Sequence, residues 1–68
     1  MELKEVREDG AGVLLTAEDL LIICNALNEV CNGLDVPEFA TRMGVPREEA
    51  LHLLRTANAV YEKVAQHS

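Results

Sequence analysis

Apolar residues between positions 16 and 34 recur at helical spacing. Leu20, Ile23, Cys24, Leu27, Val30, Cys31 and Leu34 follow steps of three or one. That rhythm draws one broad stripe along a helix. Thr16 stands at its start, with Glu18 and Asp19 just behind. A cap hydroxyl with a carboxylate three residues on makes a capping box, and acids in the first turn suit the helix dipole. Gly33 is placed to close the helix in a left-handed conformation. Leu21 and Ile22 lie off the stripe, so the start of this helix is expected to be covered from two directions.

A second stripe follows at Ala50, Leu53, Leu54, Ala57, Val60, Tyr61 and Val64. Its helix opens after Val45-Pro46, carries Glu48 and Glu49 in its first turn and reaches Gln66. At 1.5 Å per residue it is ~30 Å long, more than one small domain needs. Its far half is expected to pack along the first helix, across a two-fold axis, or both. A short helix from Pro37 to Met43 lies between them, and Gly44 ends it. Before Thr16 the pattern is weaker. Leu3–Arg7 and Val13–Leu15 read as two short strands around the Asp9-Gly10 turn signal. Leu3 and Val6 are three apart, which breaks strand alternation. A frayed arm, or a strand pairing with a second subunit, fits equally well. The expected fold class is all-α: three helices with a helix-turn-helix core. Residues 1–15 form an N-terminal arm or short β-hairpin, and residues 16–68 the helical domain.

Phe39-Ala40, Gly44-Val45-Pro46, Ala50 and Leu53-Leu54 place small and apolar residues where two tightly joined helices need them. This stretch resembles the helix-turn-helix superfamily, as a degenerate, acidic member. The resemblance covers about a quarter of the chain. It implies that Ala40 lets the helices approach and that Gly44 turns with positive φ. It also implies that Val45 plugs the core, with Phe39, Met43, Ala50 and Leu53 facing inward. In DNA-reading members the start of the second helix enters the major groove. The corresponding residues here are Pro46, Arg47, Glu48, Leu51 and His52. Arg47 is the one suited to a guanine or a phosphate, with Arg42 and Arg55 nearby. Glu48 and Glu49 face a polyanion badly, and few cations remain to release counterions.

Charge sharpens this picture. The 68 residues carry twelve acids and six bases, a net −6. Residues 1–38 hold −7 and residues 39–68 hold +1. The acidic half suits a basic protein partner and disfavours nucleic acid and membrane phosphate. No stretch approaches a membrane span, and the N-terminus lacks the plan of a secretion signal. Cytoplasm is the expected compartment, with Cys24 and Cys31 reduced. Those cysteines are ~10.5 Å apart on one helical face, beyond disulfide reach, and read as buried hydrophobes. Asn25, Asn28 and Asn32 line a polar stripe with Leu21, best read as a solvated face, and Asn28 with Glu29 is its candidate contact pair. Ser68 is the only serine, His52 with Glu48 is an ordinary i,i+4 pair, and glycine-rich phosphate loops are absent. No enzyme activity, metal or cofactor is therefore expected.

The expected function is a small acidic, non-enzymatic protein-interaction module, a bacterial-type regulatory or accessory protein acting through protein contacts. Its expected partner-binding residues are Arg47, Glu48, Leu51, His52, Arg55, Asn28 and Glu29. Two alternatives stand beside it: a DNA-binding helix-turn-helix regulator, and an immunity or antitoxin-like protein capping a basic partner. A homodimer is expected, because Leu20–Cys24 and the far half of the last helix carry more apolar surface than one small core uses.

Overall fold

The structure, a computed structural model, describes residues 1–67. It holds strand β1 (Glu2–Arg7), strand β2 (Gly10–Leu14), helix α1 (Ala17–Asn28) continued by a π-helical turn (Glu29–Gly33), helix α2 (Phe39–Met43) and helix α3 (Arg47–Gln66). The two strands pair antiparallel as a hairpin. The all-α expectation is thereby corrected: the protein is mixed, mainly helical with a small N-terminal hairpin.

A bulge explains why the hairpin was hard to read. Leu3 faces Val13 and Glu5 faces Gly12, so Lys4 has no residue opposite. One extra residue flips the alternation by one position. It brings Leu3 and Val6, paired with Val13 and Ala11, onto the same face. Glu5 and Arg7 share the other face and form an ion pair at 2.7 Å. The turn is Glu8-Asp9, one residue earlier than the Asp9-Gly10 signal. Neither strand packs along a helix.

The core lies between α1 and α3. Leu20, Cys24, Cys31, Ala50, Leu54 and Ala57 are its buried residues. Ile23, Leu27, Leu51 and Tyr61 close around Cys24, Leu54 and Ala57. α1 begins as its sequence dictates. The Thr16 hydroxyl accepts from the Asp19 amide, and the Asp19 carboxylate accepts from the Thr16 amide, both at 3.1 Å. The N-terminal ammonium joins Asp19 at 2.6 Å, tying the hairpin's base to the start of α1.

The end of α1 departs from expectation. The last turn widens, and the Leu34 amide donates to the Glu29 carbonyl at 2.8 Å. Gly33 does not take the left-handed conformation; the chain turns extended at Leu34 (φ −109°, ψ 149°). The wider turn shifts the stripe's phase, and Leu34, expected inward, is 54% exposed. Gly44 does turn left-handed, at φ 84°. Glu38 is left-handed too (φ 54°), at the entry to α2. Several inward positions expected of the helix pair are corrected: Ala40 is exposed, Met43 is 37% exposed and Leu53 55%. Phe39 and Val45 are half-buried and Ala50 is buried. The physical reason is partner choice. α3 buries its face against α1, and the five-residue α2 makes no broad contact with either helix.

The molecule is extended. Its radius of gyration is 13.4 Å, against about 11 Å for a compact chain of this length. Among the described residues, no helix is long and apolar enough to cross a membrane.

Candidate functional site

Arg47 organises the far end of the helical pair. It opens α3, where a first-turn side chain ordinarily reaches into solvent. Here it turns inward. Its Nη1 donates to the backbone carbonyl of Cys31, in the π-helical turn. Its guanidinium lies over the Phe39 ring, 4.6 Å from the centroid. The last carbonyls of a helix have no intrahelical partner, and a cation there satisfies one and complements the dipole. The planar guanidinium also stacks on an aromatic face. One side chain thus ties the end of α1, the start of α2 and the start of α3.

This link joins two of the segments that carry residues expected to bind a partner. Asn28 and Glu29 sit where α1 passes into the π-helical turn, and Arg47 holds that turn to the start of α3. Asn28, Glu29, Glu48, His52 and Arg55 are exposed. Asn28 Oδ1 accepts from Asn32 Nδ2 at 2.9 Å, so the asparagine stripe partly satisfies itself. The His52 carbonyl accepts from the Thr56 hydroxyl at 3.1 Å. Leu51 is half-buried against the Cys24–Leu54–Ala57 cluster, and Arg47 is half-buried. These two residues are occupied inside the fold. Leu34 and Met43, on segments flanking this end, are exposed apolar side chains, as is Leu53 on α3. Sequence reasoning missed them because all three were assigned inward places.

The electrostatics follow from which charges are spent. Lys4 pairs with Glu2, Arg7 with Glu5, and the N-terminus with Asp19. Among the described residues the other nine carboxylates have no cationic partner. Five of them, Glu29, Asp35, Glu38, Glu48 and Glu49, lie on the π-helical turn, the loop after it and the start of α3. With Arg47 folded inward, these segments carry five carboxylates, with Arg42 as an exposed cation on α2. Asp19 titrates below the usual carboxylate range, chiefly because the N-terminal ammonium bonds to it and then because the Thr16 amide does.

Cys24 and Cys31 are buried free thiols. Among the described residues no group of His, Cys, Asp and Glu could hold a metal ion. A shallow, open depression lies at the hairpin tip, lined by Arg7, Asp9 and Gly10 to Gly12. Ser68 lies outside the described residues. No family model, no curated protein and no solved structure matches the chain.

Proposed function

We propose that this protein is a small acidic, non-enzymatic interaction module that binds a basic protein partner. The binding surface is the end of the helical pair where the π-helical turn meets α3. The observation that carries this reading is the inward turn of Arg47 onto Cys31 and Phe39. It removes the cation best placed to meet a phosphate. Exposed on the segments around this end are Leu34, Met43 and Leu53, the carboxylates of Glu29, Asp35, Glu38, Glu48 and Glu49, and the cations Arg42 and Arg55. An apolar centre with a charged rim is the ordinary anatomy of a protein contact. The acids steer encounter with a basic surface, and the aliphatic residues bury on docking. Asn28, His52 and Arg55 supply polar contacts at the rim. The setting is cytoplasmic, where both thiols stay reduced.

Affinity capture from native extract tests this, comparing the wild-type chain with a Glu29→Lys, Glu48→Lys double variant. The expected result is a basic protein retained by the wild type, released by salt and lost by the variant. Capture that ignores the charge reversal contradicts the assigned surface. Duplex-DNA anisotropy at ~50 mM salt tests the alternative, since phosphate contacts are strongest there. Tight binding lost in Arg55→Ala would replace the protein-contact reading with the DNA-binding one.

A further inference from the structure

We propose that a second copy of this chain docks on the free edge of β2, giving a four-stranded antiparallel sheet in the order β1-β2-β2-β1 across a two-fold axis. The dimer surface then lies at the hairpin end of α1, opposite the end assigned to the partner protein. The inference stands independently of that assignment.

Area is the first argument. The chain exposes 5309 Å². A compact monomer of 7.5 kDa exposes about 4,250 Å² by the usual scaling with mass. The surplus is on the order of 1,000 Å², and pairing along the five-residue β2 edge covers part of it, a small contact beside the about 800 Å² per partner of a standard interface. The surplus has an identifiable source. Neither strand packs along a helix, and on β2 itself Val13 and Leu14 are 41% and 52% exposed. A lone two-stranded ribbon is marginal in water, whereas a wider sheet is not.

The two edges of the hairpin differ, and the difference selects β2. β1 carries Glu2, Lys4, Glu5 and Arg7, and the Lys4 bulge breaks its regular ladder. Charges and bulges are the devices that keep an edge strand unpaired. β2 reads Gly10-Ala11-Gly12-Val13-Leu14 and has no charge, no proline and no bulge. Space around Gly10 is open: a side chain there would meet nothing within 4 Å. Glycine lets another backbone approach. Charge points the same way. Two copies of a −6 chain repel over most of their surface, and β2 is an uncharged strip. The nearest carboxylate on the hairpin's polar face, Glu5, is neutralised by Arg7. Antiparallel pairing also sends the two acidic turns, Glu8-Asp9, to opposite ends of the sheet.

Sedimentation equilibrium with amide hydrogen exchange tests the proposal. The wild-type chain is expected at about twice its 7.5 kDa mass, with the amides of Ala11 to Leu14 exchanging more slowly as protein concentration rises. Val13→Lys sets two ammonium groups near the two-fold axis. It is expected to return the chain to a monomer with its helical circular dichroism unchanged, since neither strand packs along a helix. Leu21→Lys, on exposed α1, is expected to remain dimeric. A wild-type monomer at ~100 µM overturns the proposal, that concentration lying well above the Kd of an ordinary specific interface. So does a dimer that survives Val13→Lys, or one lost in Leu21→Lys. Loss of partner capture in the Glu29→Lys, Glu48→Lys variant leaves the sedimentation result untouched, so the two readings fail separately.

Discussion

Replacing Arg47 by alanine removes two interactions that no neighbouring residue can supply. The first is the charged hydrogen bond to the Cys31 carbonyl. Bonds to charged groups contribute ~1.5–3 kcal/mol when buried, and Arg47 is only half-buried, so the lower bound applies. The second is the stacking on Phe39 at 4.6 Å, which contributes ~0.5–1 kcal/mol at an exposed site. Together the loss is about 2 kcal/mol. For a domain of this size each kcal/mol lowers Tm by roughly 4–8 °C, so the expected fall is on the order of 10 °C. Thermal and urea unfolding followed at the helical circular-dichroism band measure it. Protomer concentration is held fixed, because a dimer's Tm depends on it. Arg47→Lys keeps the charge and loses the planar stack, so it is expected to fall between the two. A loss under ~0.5 kcal/mol for Arg47→Ala, the range of an ordinary surface change, would refute the inward assignment and return Arg47 to the solvent face.

Four further outcomes follow from single observations. Gly44 is left-handed with open space where a side chain would be, so Gly44→Ala is expected to cost about 1 kcal/mol from backbone conformation alone. Glu38 holds the same kind of backbone without being glycine, so Glu38→Gly is expected to stabilise the fold by a similar free energy, read as a higher urea midpoint. Leu54→Ala opens the α1–α3 core and is expected to cost ~2–5 kcal/mol, enough to melt the helical signal at room temperature in so small a domain. Asp19 is held below its ordinary carboxylate value by the N-terminal ammonium and the Thr16 amide. Its folded pKa lies beneath its unfolded one, so its contribution is complete above the unfolded value of ~3.9 and is lost as pH falls through the folded value. An NMR titration of the Asp19 carboxyl is expected to show the depressed midpoint, and N-terminal acetylation to raise it.

Local chemistry was the part legible in the residues. Thr16 and Asp19 specify their capping box because both partners lie within one turn. Gly44 announces its left-handed backbone because only glycine takes it without strain. The Ala50, Leu54 and Ala57 stripe marks the buried side of α3 because a 3.6-residue period has one inward face. The all-α assignment failed at the hairpin because a single unpaired residue, Lys4, hides a two-residue alternation. Leu34 was misplaced because a π-helical turn changes phase without a residue that declares it. Leu53 was misplaced because periodicity does not say which neighbour a helix buries against. Arg47 was expected to face outward because its partners, Cys31 and Phe39, are distant in sequence and one of them is a backbone carbonyl. The residues proposed for the surface come from the sequence, while the placement of Arg47 depends on one long-range contact.

That contact is open to direct observation. In a uniformly labelled sample, nuclear Overhauser effects between the Arg47 side-chain methylenes and the Phe39 ring protons, with a guanidinium NH shielded from solvent exchange, report the inward arrangement. Their presence is the expected result. An Arg47 side chain with averaged shifts, no ring contact and fast-exchanging guanidinium protons would leave a free cation at the head of α3 and contradict the acidic contact surface built on its withdrawal.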